Sequence, residues 1–277
     1  MMRDIGAEFR ALHRKGDPFL LANAWDKGSA RMMQALGVPA IATTSAGHAF
    51  SEGRVDGGTL TRDEALGHAQ DLVSAVTVPV SGDFENGFGE APDEVAQTIR
   101  LAFEAGLAGC SIEDTALPEF TSYDFDLAVE RIRAATAAAR ALPRDFILVA
   151  RADGVMLGNY DGDAAIRRIQ AYEAVGADCV YVPAPPDVDA LRRIIASVSV
   201  PVNVLTSGQY STLTQADFAR MGAARLSTGG ALARLAYGAA IDAARAMLGG
   251  DFNGLARAMA ERDMNALLTF EGGDKNA

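Results

Sequence analysis

In the segment VSGDFENGFG, residues 80 to 89, an apolar run gives way to Asp83 and Glu85, two residues apart, and then to glycines. A third acid, Glu113, closes the run GCSIE, and Arg151 closes the run FILVAR. If these runs are strands, Asp83 and Glu85 lie on the same side of extended backbone, with Glu113 arriving from a neighbouring strand. Carboxylates gathered in one cleft repel one another unless a cation stands among them. A donor set made only of oxygen, without His or Cys, selects a hard divalent ion, Mg²⁺ or Mn²⁺, over zinc. Singly, each acid reads equally well as a helix cap or a solvated loop residue, so the metal reading rests on their coming together. Arg151 stays charged, and its planar fork suits a carboxylate, either a ligand's or one of these acids. The stretch TTSAGHAF, residues 43 to 50, offers the backbone N–H groups of Ser45, Ala46 and Gly47 as a nest for an anion, with His48 beside them. Asp56, in GRVDGG, sits in a glycine-rich segment able to fold over such a site, and Asn203 stands in the apolar run PVNVL.

These residues need a scaffold that brings them together. Four segments share one pattern: MQALGVPAI (33 to 41), FEAGLAGCSI (103 to 112), YEAVGADCVY (172 to 181) and ARMGAARLS (219 to 227). Each reads as a helix end, a glycine that stops the helix, and a short apolar run suited to a buried parallel strand. AVTVPVSGD and SVSVPVNVL make the same joint with proline. Strands are expected near 18–23, 40–45, 78–83, 109–113, 146–151, 178–183, 201–205 and 225–228. Between them, helical spacing runs over 62–76 with a Thr61/Glu64 capping box, over 92–105 with Pro92 in the first turn, and over 187–198. Strands alternating with helices in this number predict an α/β fold, a (β/α)8 TIM-type barrel, with a doubly wound sheet as the competing architecture. In a barrel the residues past every strand's C-terminal end converge on one mouth.

The bulk numbers agree with a single large core. The chain has 277 residues, 49% of them hydrophobic and 22% charged, which suits one barrel domain over 1–277. A net charge of −11 and a pI near 4.8 disfavour nucleic acid or an anionic membrane as partner. No apolar run is long enough for a membrane span, and the charged N-terminal segment argues against a secretory signal, so a cytoplasmic protein is expected. Cys110 and Cys179 lie in apolar runs and are expected as core thiols.

The stretches NAWDKGSARMMQALGVPAIATTSAG, VPVSGDFENGFG, GCSIEDT and LVARADG resemble, in order and at compatible spacing, the isocitrate lyase and phosphoenolpyruvate mutase superfamily over roughly residues 15 to 235. The resemblance implies a (β/α)8 barrel whose last helix is exchanged between subunits, usually in a homotetramer built as a dimer of dimers, with 236–277 as the helical extension and tail. It implies Mg²⁺ held directly by Asp83, with Asp56, Glu85 and Glu113 holding its waters. Ser45, Ala46 and Gly47 would grip a substrate carboxylate, and Arg151 would assist at substrate oxygens. Substrates of the family are small 2-oxo or 2-hydroxy carboxylates or phosphonopyruvate, broken through an enolpyruvate-like anion.

One segment departs from the family. Members that cleave isocitrate or 2-methylisocitrate carry a Lys-Lys/Arg-Cys-Gly-His loop, where this chain reads IEDTALPEFTSYDFD, without Cys, Lys or His. The lysine and asparagine of the mutase's gating loop are also missing between Thr115 and Asp126. The expected activity is therefore a Mg²⁺-dependent lyase or decarboxylase on a small 2-oxo or 2-hydroxy di-acid. Phosphonopyruvate P–C chemistry and 2-oxo acid binding with little catalysis are the alternatives. Tyr123, His48 and Glu119 are the acid or base candidates, and Asn203 is a further substrate contact.

Overall fold

The structure, a computed structural model, describes residues 3–269. A helix, α1 (Ile5–Leu12), precedes the first strand, β1 (Phe19–Asn23). Then follow α2 (Lys27–Ala35), β2 (Ala40–Ala42), α3 (Ser45–Ser51), α4 (Arg62–Ala75), β3 (Val80–Asp83), α5 (Pro92–Glu104), β4 (Gly109–Glu113) and α6 (Phe125–Arg140). The second half holds β5 (Ile147–Arg151), α7 (Gly154–Leu157), α8 (Gly162–Ala174), β6 (Cys179–Tyr181), α9 (Val188–Ala196), β7 (Val202–Leu205), α10 (Gln215–Met221) and β8 (Arg225–Ser227). Two helices close the chain, α11 (Ala231–Leu248) and α12 (Glu261–Leu268). β1 to β8 pair in parallel, in chain order, and β8 returns to β1 to close the barrel. The doubly wound alternative is thereby excluded. A two-stranded ribbon, Thr115–Ala116 with Thr121–Ser122, projects between β4 and α6.

The joints behave as their residues dictate. Thr61 and Glu64 cap α4 reciprocally, and Pro92 starts α5, where its missing N–H is no loss. Gly106 takes a left-handed φ of 91° and stops α5. Strand alternation divides the apolar residues into two cores. On β5, Leu148 and Ala150 face the helices, packing in one cluster with Leu72, Ile99, Ile132, Ile169 and Ile194. Ile147 and Val149 face the barrel axis with Phe19, Leu21, Ala40, Ala42, Cys179 and Tyr181. Each large side chain buried in this way contributes roughly 1.5–3 kcal/mol. Cys110 and Cys179 are buried free thiols, as their settings indicate.

The floor of the barrel is plugged by α1, whose Phe9 is fully buried with its ring 6.1 Å from that of Phe19. The plug sits tightly: a Cβ on Gly6 would lie 1.8 Å from the carbonyl oxygen of Asp145. At the far end of the chain, α12 lies against α2, where Arg31 donates to the carbonyl of Leu268 at 3.2 Å. The expected extension from 236 thus begins inside α11, and its tail beyond Thr269 lies outside the described residues. No helix among the described residues is long and apolar enough to cross a membrane.

Candidate active site

The mouth of the barrel opens into a cavity of about 250 Å³. Asp83, the last residue of β3, is its focus. One carboxylate oxygen accepts from the Ser45 backbone N–H and hydroxyl, both at 3.1 Å, and the other takes the Arg151 Nη1 at 2.7 Å and the Ser111 hydroxyl at 3.3 Å. Arg151, the last residue of β5, is held by three acids at once. Its Nη2 lies 3.0 Å from Glu113 and 2.6 Å from Asp153, and Nε donates to the second oxygen of Asp153 at 3.2 Å. The internal ion pairing that the sequence left open for Arg151 is therefore present.

Glu85 departs from the strand-based expectation. β3 stops at Asp83, and Glu85 adopts a left-handed backbone with φ of 45°, so the two-residue alternation that would align it with Asp83 no longer operates. Its carboxylate turns toward the glycine-rich segment, accepting from the Gly58 N–H at 3.1 Å, and it lines a small cleft with Asp83, His48 and Phe88. Backbone strain of this kind persists where the surroundings over-determine it, and it clusters at functional sites. Asp56 comes from that same glycine-rich segment and lines the main cavity. The segment is pinned against the 115–122 ribbon, since a Cβ on Gly57 would meet the Phe120 ring at 2.2 Å.

Electrostatically the acids near Asp83 disfavour one another's charge. Burial, and then the charge of Asp83, raises the Asp56 carboxyl above its ordinary range. Burial pushes Glu85 up to about 7, with Asp83 and Asp56 adding to it against the Gly58 hydrogen bond. Burial also drives Glu113 well up despite the pull of Arg151. For Arg151 burial disfavours the charge, but Asp153, Glu113 and Asp83 outweigh it and hold the guanidinium well above its usual range. Arg151 meets the carboxylates of Asp83, Glu113 and Asp153, whereas Asp56 and Glu85 make no ion pair among the described residues, and a divalent cation between them and Asp83 would relieve their repulsion. Among the described residues no three His, Cys, Asp or Glu side chains converge closely enough to ligate one ion together. The ligand cluster expected of Asp83, Glu85 and Glu113 is therefore not formed, and Asp83 and Asp56 are the acids that line the cavity and could hold a hard cation with water completing its shell.

The anion nest is narrower than expected. Ser45 begins α3, Thr44 is its N-cap, and the Thr44 hydroxyl accepts from the Gly47 N–H at 3.2 Å. With the Ser45 N–H on Asp83, Ala46 supplies the nest's N–H without a protein acceptor among the described residues, and Ala46 lines the cavity while Gly47 does not. Asn203 is also placed differently from its expected strand end. β7 runs on to Leu205, and Asn203 is a mid-strand residue whose amide donates to Ser227 at 2.8 Å and accepts from Arg225 Nε at 2.9 Å.

The acid and base candidates lie outside the cavity. His48 stacks on His68 with ring centroids 4.0 Å apart behind α3. The Tyr123 hydroxyl accepts from the Asn86 amide at 3.0 Å, and the ring carries Arg131 on its face at 4.2 Å. Glu119 is exposed on the ribbon. Sequence reasoning missed Asp153, Tyr181, Arg225 and Arg234. Asp153 carried a usable signal, its i+2 spacing from Arg151 at a strand end, whereas Arg225 opens its strand and Arg234 lies in the first turn of α11.

Comparison with known proteins identifies the family of the chain. The family model for phosphoenolpyruvate phosphomutase matches residues 9–248. An oxaloacetate decarboxylase from Chromohalobacter salexigens is 30% identical over 247 residues, covering 87% of this chain and 83% of that protein. A crystal structure of a Burkholderia cenocepacia protein of the lyase/mutase type superposes with a TM-score of 0.91 at 45% identity, covering 96% of each chain. A phosphonopyruvate hydrolase, solved with oxalate and Mg²⁺, superposes with a TM-score of 0.83 at 25% identity over 96% of this chain and 95% of that one. The chain is a member of the isocitrate lyase and phosphoenolpyruvate mutase superfamily of enzymes.

Proposed function

We propose that this protein is a divalent-metal-dependent lyase that decarboxylates a small 2-oxo dicarboxylic acid of the oxaloacetate type. The observation that carries the reading is the lining of the cavity: Asp83 and Asp56 as oxygen donors suited to a hard cation, Arg151 at a strand end with Arg225 and Arg234 elsewhere on the wall, and none of the residues between 115 and 126. Breaking a C–C bond by loss of CO₂ needs no positioned base, only stabilisation of the enolate left behind. Hydrolysis or retro-Claisen cleavage needs a base, and His48, Tyr123 and Glu119 do not line the cavity. The relatives support the choice, since one is named an oxaloacetate decarboxylase and another structure holds oxalate with Mg²⁺.

Asp83 would hold the cation directly, with Asp56, Glu85 and Glu113 around its waters. When bound, the ion supplies Lewis acidity at the oxygens of the 2-oxo acid. The Ala46 N–H, on the cavity wall, would donate to a substrate carboxylate. Arg151 contributes a fixed positive charge beside the developing oxyanion, and Asp153 and Glu113 prevent it from swinging away.

The test is turnover of oxaloacetate in Mg²⁺, corrected for the background rate and compared with a chelated control, alongside phosphate release from phosphonopyruvate. Pyruvate formation that stops on chelation supports the reading. Phosphate release without pyruvate formation from oxaloacetate moves the activity to P–C chemistry, and metal-dependent thermal stabilisation by 2-oxo acids without turnover of either makes the protein a binder. The same reading includes a homotetramer, a dimer of dimers with exchanged C-terminal helices; it is supported by apolar residues left exposed on α11.

A further inference from the structure

The strand registers place Glu113, Arg151, Tyr181, Asn203 and Arg225 opposite one another on successive strands from β4 to β8. Glu113 is the last residue of β4 and Arg225 the first of β8, so this row winds from the mouth of the barrel toward its floor. Four strand spacings of about 4.8 Å at a tilt near 36° give a descent of roughly 11 Å, within which an arginine side chain can reach back up.

The lower end of the row is unusual. Arg225 is 4% exposed, yet it lines the cavity. Asn203 fixes its Nε and is itself fixed by Ser227, so the guanidinium is held in place. Its Nη1 is buried and has no acceptor among the described residues. Arg151 is surrounded by acids, but no carboxylate pairs with Arg225 among the described residues. A buried guanidinium without a counter-charge is destabilising, and a protein that retains one has a use for an anion beside it. The way to it is open, because Ala42, Ser81 and Ser111 stand where barrels commonly pack branched side chains.

We propose that Arg225 forms the floor of a second anion subsite, which takes the remote carboxylate of a dicarboxylic 2-oxo acid while the 2-oxo end lies at Asp83 and Ala46. This rests on the functional reading above and makes Arg225 a specificity-determining residue. Arg234 also lines the cavity but is exposed in the first turn of α11, where solvent screens its charge.

The experiment compares acids that differ in the remote carboxylate, 2-oxobutyrate with oxaloacetate and 2-oxopentanoate with 2-oxoglutarate, by equilibrium titration and thermal shift in Mg²⁺. Wild-type protein should favour the di-acid at least tenfold in one pair. Arg225→Met and Arg225→Gln should abolish that preference while holding the mono-acid within threefold, and Arg225→Lys should restore part of it. Without ligand, Arg225→Met should melt no lower than wild type, because it removes an unpaired buried charge. A preference that survives in Arg225→Met and Arg225→Gln, or that disappears in Arg234→Ala instead, overturns the proposal. Wild-type protein that binds mono- and di-acids alike overturns it while leaving the functional reading intact; wild-type protein that binds no 2-oxo acid in Mg²⁺ overturns both.

Discussion

Arg151 shows how much of the site depends on side-chain geometry rather than charge alone. Asp153 grips it through both Nε and Nη2, an arrangement that an ammonium cannot reproduce. Arg151→Lys should therefore lower kcat/KM about a hundredfold even though the charge is kept, since a two-point pair fixes direction as well as sign. The mutant should also lose about 2 kcal/mol of stability in chemical denaturation, because Asp153 is buried and would be left with unfilled acceptors. Unchanged kinetics in Arg151→Lys would show that the residue serves only as a diffuse positive charge. At this scale the sequence reads well for Asp83, Glu113 and Arg151, which end strands, and less well for Glu85, whose left-handed backbone has no signature in residue type. The Gly47 N–H is lost to a helix cap for a similar reason: Thr44 could be recognised as a cap only once a helix, rather than a loop, was known to begin at Ser45.

Among the elements, α1 matters beyond its length because it closes the barrel floor. His13, at its C-terminal cap, donates from Nδ1 to the carbonyl of Phe9 at 2.8 Å, and its Nε2 is buried without a partner among the described residues. Burial, and then the nearby Arg225 charge, lowers its pKa to about 3 from an unfolded value of 6.5. A base whose folded pKa is depressed stays neutral when folded, so its contribution is fully present above pH 6.5 and is lost as the pH falls toward 3. Unfolding free energy should fall by about 2 kcal/mol between pH 7 and pH 5 from this group, and His13→Gln should flatten that slope. A slope that is identical in His13→Gln would assign the acid sensitivity to other groups. The periodicity and the glycine joints made all eight strands legible in the sequence, because the left-handed glycine and the buried parallel run are local chemistry. The ends were less so: strand ranges near 40–45 and 178–183 shorten to Ala40–Ala42 and Cys179–Tyr181. There a helix cap or a proline-rich turn takes over backbone groups that an apolar pattern alone assigns to the ladder. The polar row that ends in Arg225 follows from strand register, which no single segment encodes.

On the scale of the whole molecule, α11 exposes Leu235, Tyr237, Ile241 and Leu248, and the segment that follows it exposes Phe252, Leu255 and Met259. Tyr237, Ile241 and Leu248 fall on one face of α11, and Leu248 is 91% exposed. Such a stripe on a water-soluble surface marks an interface, and the proposed exchange of C-terminal helices between subunits would cover it. Ile241→Glu combined with Leu248→Glu should reduce the mass measured by light scattering from a tetramer to a smaller species, with barrel circular dichroism retained; a wild-type monomer would remove the assembly from the account. The barrel gathers Asp56, Asp83, Glu85, Glu113 and Asp153 about Arg151 on one side of a cavity that Arg225 and Arg234 also line, and a divalent ion at Asp83 is proposed to complete this group and make C–C cleavage of a 2-oxo acid possible. The most direct measurement is the rate of oxaloacetate decarboxylation against Mg²⁺ concentration for wild type and Asp83→Ala, each corrected for the background reaction. Saturable Mg²⁺ activation in wild type, with a loss of about a thousandfold in Asp83→Ala, is the predicted result; turnover indifferent to both Mg²⁺ and Asp83 would contradict it.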